Sequence, residues 1–249
     1  MDKRDTMGGL AKGLRVIEAF SADRPRLTIT EAAEHAGLDR ATARRCLLTL
    51  ADLGYADYDG KFFTLTPHVL RLGTACLATM PLPGLVQPWL DRLSELTGES
   101  SSVAILDRGE IVYVARAAQR KVMSIALMPG SRLPAFCTSM GRVLLAALPE
   151  AEAEARLPPL TARTPRTLTE PEAVMARIAQ ARAEGFALID QEVELGLRSI
   201  AVPLMDARGR VVAALNLGVP ATQGKVEDLA RRYLDAMRVV QAELRKVLV

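Results

Sequence analysis

The sequence predicts an α+β protein: an N-terminal winged helix-turn-helix domain, a connecting helix, and a C-terminal domain with a roughly six-stranded antiparallel sheet flanked by helices. Residues 28–53 contain two short helix patterns separated by a glycine, each with a capping residue at its start. A turn motif between aromatic residues follows within residues 54–65. Beyond residue 84, short apolar strand patterns and amphipathic helix patterns occur together, which favours one sheet covered by helices.

The composition is that of a globular protein with ample core-forming residues. Of the 249 residues 49% are hydrophobic and 24% charged, and the net charge of +3 permits contact with nucleic acid without requiring it. Three cysteines without metal-ligand spacing argue against a disulfide framework and favour a reducing compartment. No signal-peptide core and no bilayer-length apolar run is present. These features predict a cytoplasmic protein without membrane contact.

Residues 28–39 carry the start and stop signals of a helix-turn-helix. Thr28 stands three residues before Glu31, which is the spacing of a capping box at a helix start. Gly37 ends this first helix, and Asp39 is placed to cap a second one. Two helices joined by so short a glycine-containing turn predict a DNA-binding motif. After them, Asp59-Gly60 predicts a two-residue hairpin turn, and therefore a wing.

The second helix separates into an apolar side and a basic side at about 100° per residue. Arginine can bind guanine edges or phosphates, and Ala or Thr can meet a thymine methyl, so this basic side suits the major groove. We predict DNA contacts from the following residues, with the last of them in the wing at a backbone phosphate: Arg40, Ala41, Thr42, Arg44, Arg45, Thr49 and Lys61. The alternative is a small structural three-helix domain with a solvated arginine face.

A proline-rich break at residues 81–84 predicts a domain boundary. The predicted division is a DNA-binding domain over residues 1–66, a connecting helix and linker over 67–83, and a second domain over 84–249. Six runs of the second domain have strand character: 102–106, 111–117, 122–127, 186–189, 199–204 and 211–217. A sheet of this kind flanked by helices commonly encloses a small-molecule pocket.

The sequence argues against catalysis and against a bound cofactor or metal. The only histidines, His35 and His68, lie in the helix-turn-helix and the connecting helix, so the large domain has no histidine base for a nucleophile. It also has no nucleophile-elbow motif, no phosphate-binding loop and no dinucleotide fingerprint. We therefore predict a protein that is not an enzyme.

Polar residues of the second domain mark a candidate ligand site. The loop over residues 129–139 delivers the hydroxyls of Thr138 and Ser139 to a helix start, where N–H groups can hold a carboxylate or phosphate. Simple capping of that helix explains the two hydroxyls equally well. Polar groups that interrupt apolar strands need a ligand or cross-strand hydrogen bonds: Asp190, Arg198, Ser199, and Asn216, which is followed by Gly218.

Over essentially its whole length the chain resembles the IclR-type bacterial transcriptional regulators. In the first domain the matching motifs are Gly13-Leu14-x-Val16-Ile17, Thr28-x-Thr-Glu-Ala32, Arg45-Cys-Leu47, Thr49-Leu50 and Leu53-Gly54-Tyr55. In the second they are Pro129-Gly-Ser-Arg-Leu-Pro134 through Thr138-Ser-Met-Gly-Arg142, Asp190-Gln-Glu192, Gly196-Leu-Arg-Ser-Ile-Ala-Val-Pro203 and Ala214-Leu-Asn-Leu-Gly218. Residues 132–145 further resemble the branch that controls β-ketoadipate-pathway genes, whose members respond to protocatechuate, 4-hydroxybenzoate or β-ketoadipate.

The resemblance implies a GAF-like effector domain and a homodimer or dimer of dimers on a palindromic operator in double-stranded DNA. Effector contacts of the family map onto Asp190, Ser199, Asn216 and Gly218. For a carboxylate effector, we expect the helix start at Thr138 and Ser139 to act with one of three arginines: Arg116, Arg132 or Arg198. Several members of the branch are activators, which makes RNA polymerase a candidate partner.

The sequence thus predicts a ligand-responsive regulator of catabolic genes, and two readings from other classes stay open. One is a constitutive DNA-binding protein whose second domain only oligomerises. The other, which the missing histidines disfavour, is an enzyme that uses a pocket of the large domain. A response of DNA binding to a small acid would separate the first from the regulator, and turnover of that acid would identify the second.

Overall fold

The structure is a computed structural model, and it describes residues 6–21, 23–119 and 127–248. The chain divides into two compact units, and the division falls between Thr79 and Met80. Its N-terminal unit contains these helices and strands: α1 Gly8–Glu18, β1 Arg26–Leu27, α2 Ile29–Ala36, α3 Arg40–Asp52, β2 Ala56–Tyr58, β3 Phe63–Leu65 and α4 Leu70–Thr79. A 3-10 turn over Pro67–Val69 leads into α4. The unit therefore has the three helices and the hairpin of a winged helix-turn-helix.

The ends of α2 and α3 have the predicted caps. The Thr28 side chain accepts a hydrogen bond from the Glu31 N–H, and the Glu31 carboxylate accepts one from the Thr28 N–H in return. Gly37 ends α2 in the left-handed conformation, with φ 59°. The Asp39 carboxylate accepts from the Thr42 N–H at 2.8 Å and caps α3. These local hydrogen bonds set the bounds of both helices.

The wing is a three-stranded antiparallel sheet in the order β1-β3-β2. Its hairpin turns one residue later than predicted, because the Asp59 N–H donates to the Phe62 carbonyl and leaves Gly60 and Lys61 at the tip. The Asp59 side chain accepts from the N–H groups of Lys61 and Phe62, and these bonds hold the pKa of Asp59 below its usual value. Asp59 therefore closes the turn with its side chain and is not a central turn residue.

The second unit is a six-stranded antiparallel sheet with helices on both faces. Its elements are α5 Leu82–Thr97, β4 Ser100–Asp107, β5 Glu110–Ala117, β6 Arg132–Pro134, α6 Ser139–Ala146, α7 Glu150–Ala155, α8 Pro171–Glu184, β7 Ala187–Asp190, β8 Leu197–Met205, β9 Val211–Pro220 and α9 Asp228–Leu244. The strand order is β6-β5-β4-β9-β8-β7, and each neighbouring pair is antiparallel. This confirms the predicted fold class.

The third strand differs from the prediction. The described sheet includes β6, which lies in a stretch that we predicted as a loop, because its backbone pairs with residues 110–112 of β5. The predicted strand over residues 122–127 lies outside the described residues except for Leu127. Pairing with a distant strand cannot be read from three residues flanked by turns, since β structure depends on its neighbours.

The two faces of the sheet bury separate hydrophobic cores. On one face α5 and α9 cover a core that includes Leu90, Val103 and Leu215. On the other face α6 and α8 cover a core that includes Phe136, Ile178 and Ala201. Because successive residues of a strand point to opposite faces, Val103 and Ala104 belong to different cores. Within the described part of the chain, none of the helices has the length and apolarity to cross a membrane.

Candidate functional site

The exposed side of α3 in the N-terminal unit is small and basic. Most of the residues that we predicted as DNA contacts lie on it, together with one leucine: Arg40, Ala41, Arg44, Arg45, Leu48 and Thr49 are all exposed. The opposite side packs Ala43, Leu47 and Leu50 into the core of the unit. A helix with this division can lie along a groove of DNA while its apolar side stays in the protein.

Thr42 does not belong to this exposed side, contrary to our prediction. Its side chain is buried, with a relative exposure of 6% for the residue. Its backbone N–H binds the Asp39 cap, and its hydroxyl oxygen lies 3.4 Å from Arg45 Nη2. The packing of the first turn of α3 therefore decides that Thr42 faces inward.

Two cationic side chains of the wing lie against the same aromatic ring. Lys61, a predicted contact, is exposed at the tip, with Nζ 5.0 Å from the centroid of the Phe62 ring. The Arg26 guanidinium lies 4.5 Å from the same centroid, so the ring helps to orient both charges. The sequence reasoning missed Arg26 because its proximity to the ring depends on the pairing of β1 with β3.

The second unit contains a cavity between the start of α6 and one face of the sheet. Five of the nine residues that we predicted for effector binding line it: Arg116, Thr138, Ser139, Ser199 and Asn216. The other lining residues, which the sequence reasoning missed, are mainly apolar: Tyr113, Leu127, Leu133, Met140, Val193 and Leu197. Its free volume is about 30 Å³, enough for one or two water molecules, so a larger ligand enters only if lining side chains move.

Arg116 is the only cationic residue among the described residues that line this cavity. It is half-buried, and its Nη1 donates to the Ser102 hydroxyl at 3.0 Å. Burial lowers the pKa of Arg116, because a charged guanidinium loses hydration there. Burial also raises the pKa of the neighbouring Tyr113 to about 12. A half-buried guanidinium beside a neutral phenol can bind an anion with little competition from water.

Two polar atoms of the cavity lining have no hydrogen-bond partner among the residues that the structure describes. They are the hydroxyl oxygen of Ser139 and the side-chain oxygen of Asn216, and both are buried. The neighbouring Thr138 differs, since its hydroxyl accepts from the Gly141 N–H and caps α6. Buried polar atoms without partners are rare in folded proteins because they lose hydration without compensation. The arrangement of Ser139 and Asn216 therefore favours a polar ligand in this cavity.

The remaining four predicted effector residues do not line this cavity. Arg132 is exposed at the sheet edge, where it forms ion pairs of 2.7 Å with Asp107 and with Glu110. Gly218 lies on the same face of β9 as Asn216, but the side chain of Leu197 lies beside it. The positions of these residues follow from strand pairing that local sequence does not reveal.

Asp190 and Arg198 form an ion pair with each other and do not line the cavity. Arg198 Nε lies 2.5 Å from Asp190 Oδ1, and Arg166 Nη1 lies 2.5 Å from the second carboxylate oxygen. Arg198 also donates to backbone carbonyls of residues 221 and 224. Because Ser199 faces the cavity, the preceding Arg198 points to the opposite face of β8. Arg116 is therefore the one of our three candidate arginines that could hold an effector carboxylate.

A winged helix-turn-helix with a basic exposed face, followed by a sheet domain with a polar buried cavity, defines the class of ligand-responsive transcription regulators. Two family models match the chain. The model of the IclR helix-turn-helix domain matches residues 9–60, and the model of the bacterial transcriptional regulator IclR C-terminal domain matches residues 74–243. The protein belongs to the IclR family of bacterial transcriptional regulators, as the motifs in its sequence predicted.

Two curated relatives match over almost the whole chain, and both are named as regulators, not enzymes. The Pca regulon regulatory protein of Pseudomonas putida is 44% identical over 243 residues, which cover 96% of this chain and 84% of that protein. The p-hydroxybenzoate hydroxylase transcriptional activator of Acinetobacter baylyi is 38% identical over 253 residues, 98% of this chain and 92% of that protein. The expected pathway branch is thereby confirmed.

A solved structure with the same fold contains an aromatic acid. It is an IclR homologue from Microbacterium hydrocarbonoxydans complexed with 4-hydroxybenzoate, 27% identical, with a TM-score of 0.73. The match covers 96% of this chain and 100% of that chain.

Proposed function

We propose that the protein controls genes of aromatic-acid catabolism, and that its effector is a small organic acid, an aromatic carboxylate or a β-ketoadipate-pathway metabolite, bound in the cavity between α6 and the sheet. The observation that carries this proposal is Arg116, a half-buried guanidinium in a cavity that is otherwise lined, among the described residues, by neutral side chains. A carboxylate would pair with Arg116, and this pair would gain strength from the low polarity around it.

The rest of the lining supports an aromatic ring with a second polar group. Leu127, Leu133, Met140, Val193 and Leu197 offer apolar contacts to a ring. The unpartnered oxygens of Ser139 and Asn216 offer acceptors to a ligand hydroxyl. Met140 has a flexible side chain, and its movement would help to enlarge the cavity for such a ligand.

The names of the relatives support an effector from the pathway branch that the sequence motifs resemble. One is named for a Pca regulon, another for activation of p-hydroxybenzoate hydroxylase, and the fold neighbour was solved with 4-hydroxybenzoate. We propose 4-hydroxybenzoate, protocatechuate or β-ketoadipate as the effector. The first two combine a carboxylate, a ring and a hydroxyl, whereas β-ketoadipate has no ring to contact the apolar lining.

For the DNA side we propose contacts from the exposed side of α3 and from the wing: Arg40, Ala41, Arg44, Arg45, Thr49 and Lys61. These residues would read a palindromic operator from a homodimer or a dimer of dimers, since a twofold site matches a twofold protein. The proposal includes binding to chromosomal DNA in the bacterial cytoplasm and contact with RNA polymerase. It keeps the division into a DNA-binding domain, a connecting helix within 67–83 and an effector domain from residue 84.

The first experiment is a thermal-shift titration of the full chain with the three acids and with 4-hydroxybenzamide. A ligand that binds only the folded state stabilises it by RT ln(1 + [L]/Kd), so the melting temperature rises with the ligand concentration relative to its Kd. We expect a concentration-dependent rise of the melting temperature with at least one acid and none with the amide, which lacks the charge for Arg116. The acid that binds is then added to a DNA-binding assay with the promoter regions beside the gene. If the melting temperature shifts with none of the acids, an aromatic-acid effector is contradicted. If none of the acids changes DNA binding, the alternative in which the second domain only oligomerises is favoured.

A further inference from the structure

We infer that Arg142 and Glu192 form a positioning pair that holds two walls of the effector cavity in register. This inference rests on the proposed function, because it concerns the same cavity. Neither residue lines the cavity as described. The pair acts through its neighbours along the chain, and it thereby sets how tightly and how selectively the cavity binds a ring with its substituents.

The pair is buried, and its hydrogen bonds run in defined directions. Arg142 Nη2 lies 2.7 Å from Glu192 Oε2, and the side chains are 3% and 8% exposed. Arg142 Nε donates to the Phe136 carbonyl at 3.0 Å, so the guanidinium also fixes the turn that leads into α6. The Leu168 N–H lies 3.4 Å from the same carboxylate oxygen of Glu192. The two charges thus join three segments that are distant in sequence.

Each member of the pair stands next to residues that form the cavity. Arg142 lies on α6 one turn after Ser139 and two residues after Met140, both of which line the cavity. Glu192 directly precedes Val193, which lines the cavity from the loop between β7 and β8. A shift of this loop against α6 would therefore change the distance between Val193 and the helix start.

The loop over residues 191–196 is held in one conformation by its own contacts. Gln191 has φ 62°, which residues other than glycine rarely adopt. Its N–H donates to the Leu197 carbonyl, and its side-chain oxygen accepts from the Gly196 N–H, which closes the loop. The hydroxyls of Thr164 and Thr167 bind the carbonyls of Gln191 and Glu192. Such a preformed loop acts as a unit, and Glu192 is its ionic link to α6.

A role in stability alone does not explain a buried ion pair. Two charges lose hydration on burial, and well-packed apolar residues at the same positions are often as stabilising. What apolar residues cannot reproduce is the direction of the Arg142 bonds to Glu192 and to the Phe136 carbonyl. This difference separates positioning from stability and makes the inference testable.

The test compares the double variant Arg142→Met/Glu192→Met with the wild type and with a control variant, Arg156→Met/Glu152→Met, that removes a solvent-accessible ion pair at the end of α7. Cooperative unfolding in urea identifies variants that keep the fold, and Glu192→Gln serves if the double variant does not fold. Binding of 4-hydroxybenzoate and 3-hydroxybenzoate is measured by calorimetry. In the buried-pair variant we expect the better ligand to bind about tenfold more weakly, and the ratio of the affinities for the two ligands to be smaller. We expect neither change in the control variant.

Amide hydrogen exchange of the free protein provides a second readout. We expect faster exchange at residues 191–197 and 139–141 in the buried-pair variant, and wild-type exchange elsewhere and in the control variant. A folded buried-pair variant with unchanged exchange, affinity and ligand ratio would overturn the inference and leave the proposed function intact. If the wild type binds neither benzoate, the aromatic-acid proposal fails for these ligands, and local exchange alone decides whether the pair holds the two walls together.

Discussion

Gly141 packs directly against Ala135, so closely that a β-carbon on the glycine would overlap the Ala135 carbonyl group. The close approach lets the turn before α6 fold back on the first turn of the helix, beside the candidate effector cavity. Both partners of the contact are backbone, so a side chain at residue 141 could be accommodated only if the turn moved.

We predict that Gly141→Ala lowers the free energy of unfolding by roughly 1 to 3 kcal/mol through overpacking. Gly218→Ala is the matched control, because its β-carbon would lie 3.7 Å from the nearest atom, which is an ordinary contact. Urea unfolding of both variants gives the comparison. Equal stability of Gly141→Ala and the wild type would contradict this prediction, because it would show that the turn before α6 moves at little cost in free energy.

The choice among the three arginines gives a second prediction. Arg116→Met should weaken binding of an aromatic carboxylate by at least about tenfold, since the ligand would lose its charged partner in a partly buried site. Arg132→Met should bind as the wild type does, because Arg132 pairs with Asp107 and Glu110 at the exposed sheet edge. Calorimetric titration measures both, and the reverse order of effects would refute the assignment of Arg116.

The two hydroxyls at the start of α6 should respond in opposite ways to removal. Ser139→Ala removes a buried hydroxyl that has no hydrogen-bond partner in the described part of the chain, so the free protein should be as stable as the wild type or more stable, while the ligand binds less tightly. Thr138→Ala removes the cap on the Gly141 N–H and should cost about 0.5 to 2 kcal/mol of stability. Melting temperatures with and without ligand test both, and equal losses of stability would contradict these roles.

On the DNA side we predict that Arg44→Ala and Arg45→Ala weaken operator binding. If either arginine contacts a phosphate, the slope of log affinity against log salt should fall by about 0.9 in magnitude, whereas a base contact should change sequence preference. Thr42→Val is the control, because Thr42 is buried and should affect stability without altering affinity of the folded protein. Fluorescence anisotropy over a salt series makes the measurement. Wild-type affinity in both arginine variants would exclude this face of α3.

The cap of α3 predicts a dependence of stability on pH. Hydrogen bonds from the Thr42 side chain and N–H lower the pKa of Asp39 in the folded state. The unfolded state therefore binds more protons than the folded state. The contribution of the Asp39 carboxylate to the free energy of unfolding is complete above the usual aspartate pKa of about 4, and it is lost as the pH falls through the pKa of the folded state.

Asparagine also caps helices but does not titrate, so the stability difference between wild type and Asp39→Asn should shrink from pH 7 to pH 3. Unfolding followed by circular dichroism at several pH values provides this difference. A difference that stays constant with pH would contradict the role of the Asp39 charge.

The sequence alone sufficed where the determining interactions are local. The capping pairs Thr28 with Glu31 and Asp39 with Thr42 span three residues each, and both are present as predicted. The basic side of α3 follows from helical periodicity, and the family follows from motifs in order along the chain. Propensity, capping and periodicity act within one or two turns, so they can be read without knowing the fold.

Only the tertiary structure decided which polar groups meet at the cavity. Tyr113 and Arg116 both line it although strict alternation would place residues three apart on opposite faces. A register shift opposite Val103 and Ala104 inserts Val114 as an extra residue and turns both side chains to the same face. Strand pairing places Arg132 at the edge of the sheet, and the alternation of side chains along β8 places Arg198 on the face opposite to the cavity. Such choices depend on the register between distant strands, and that register is set by packing across the whole sheet.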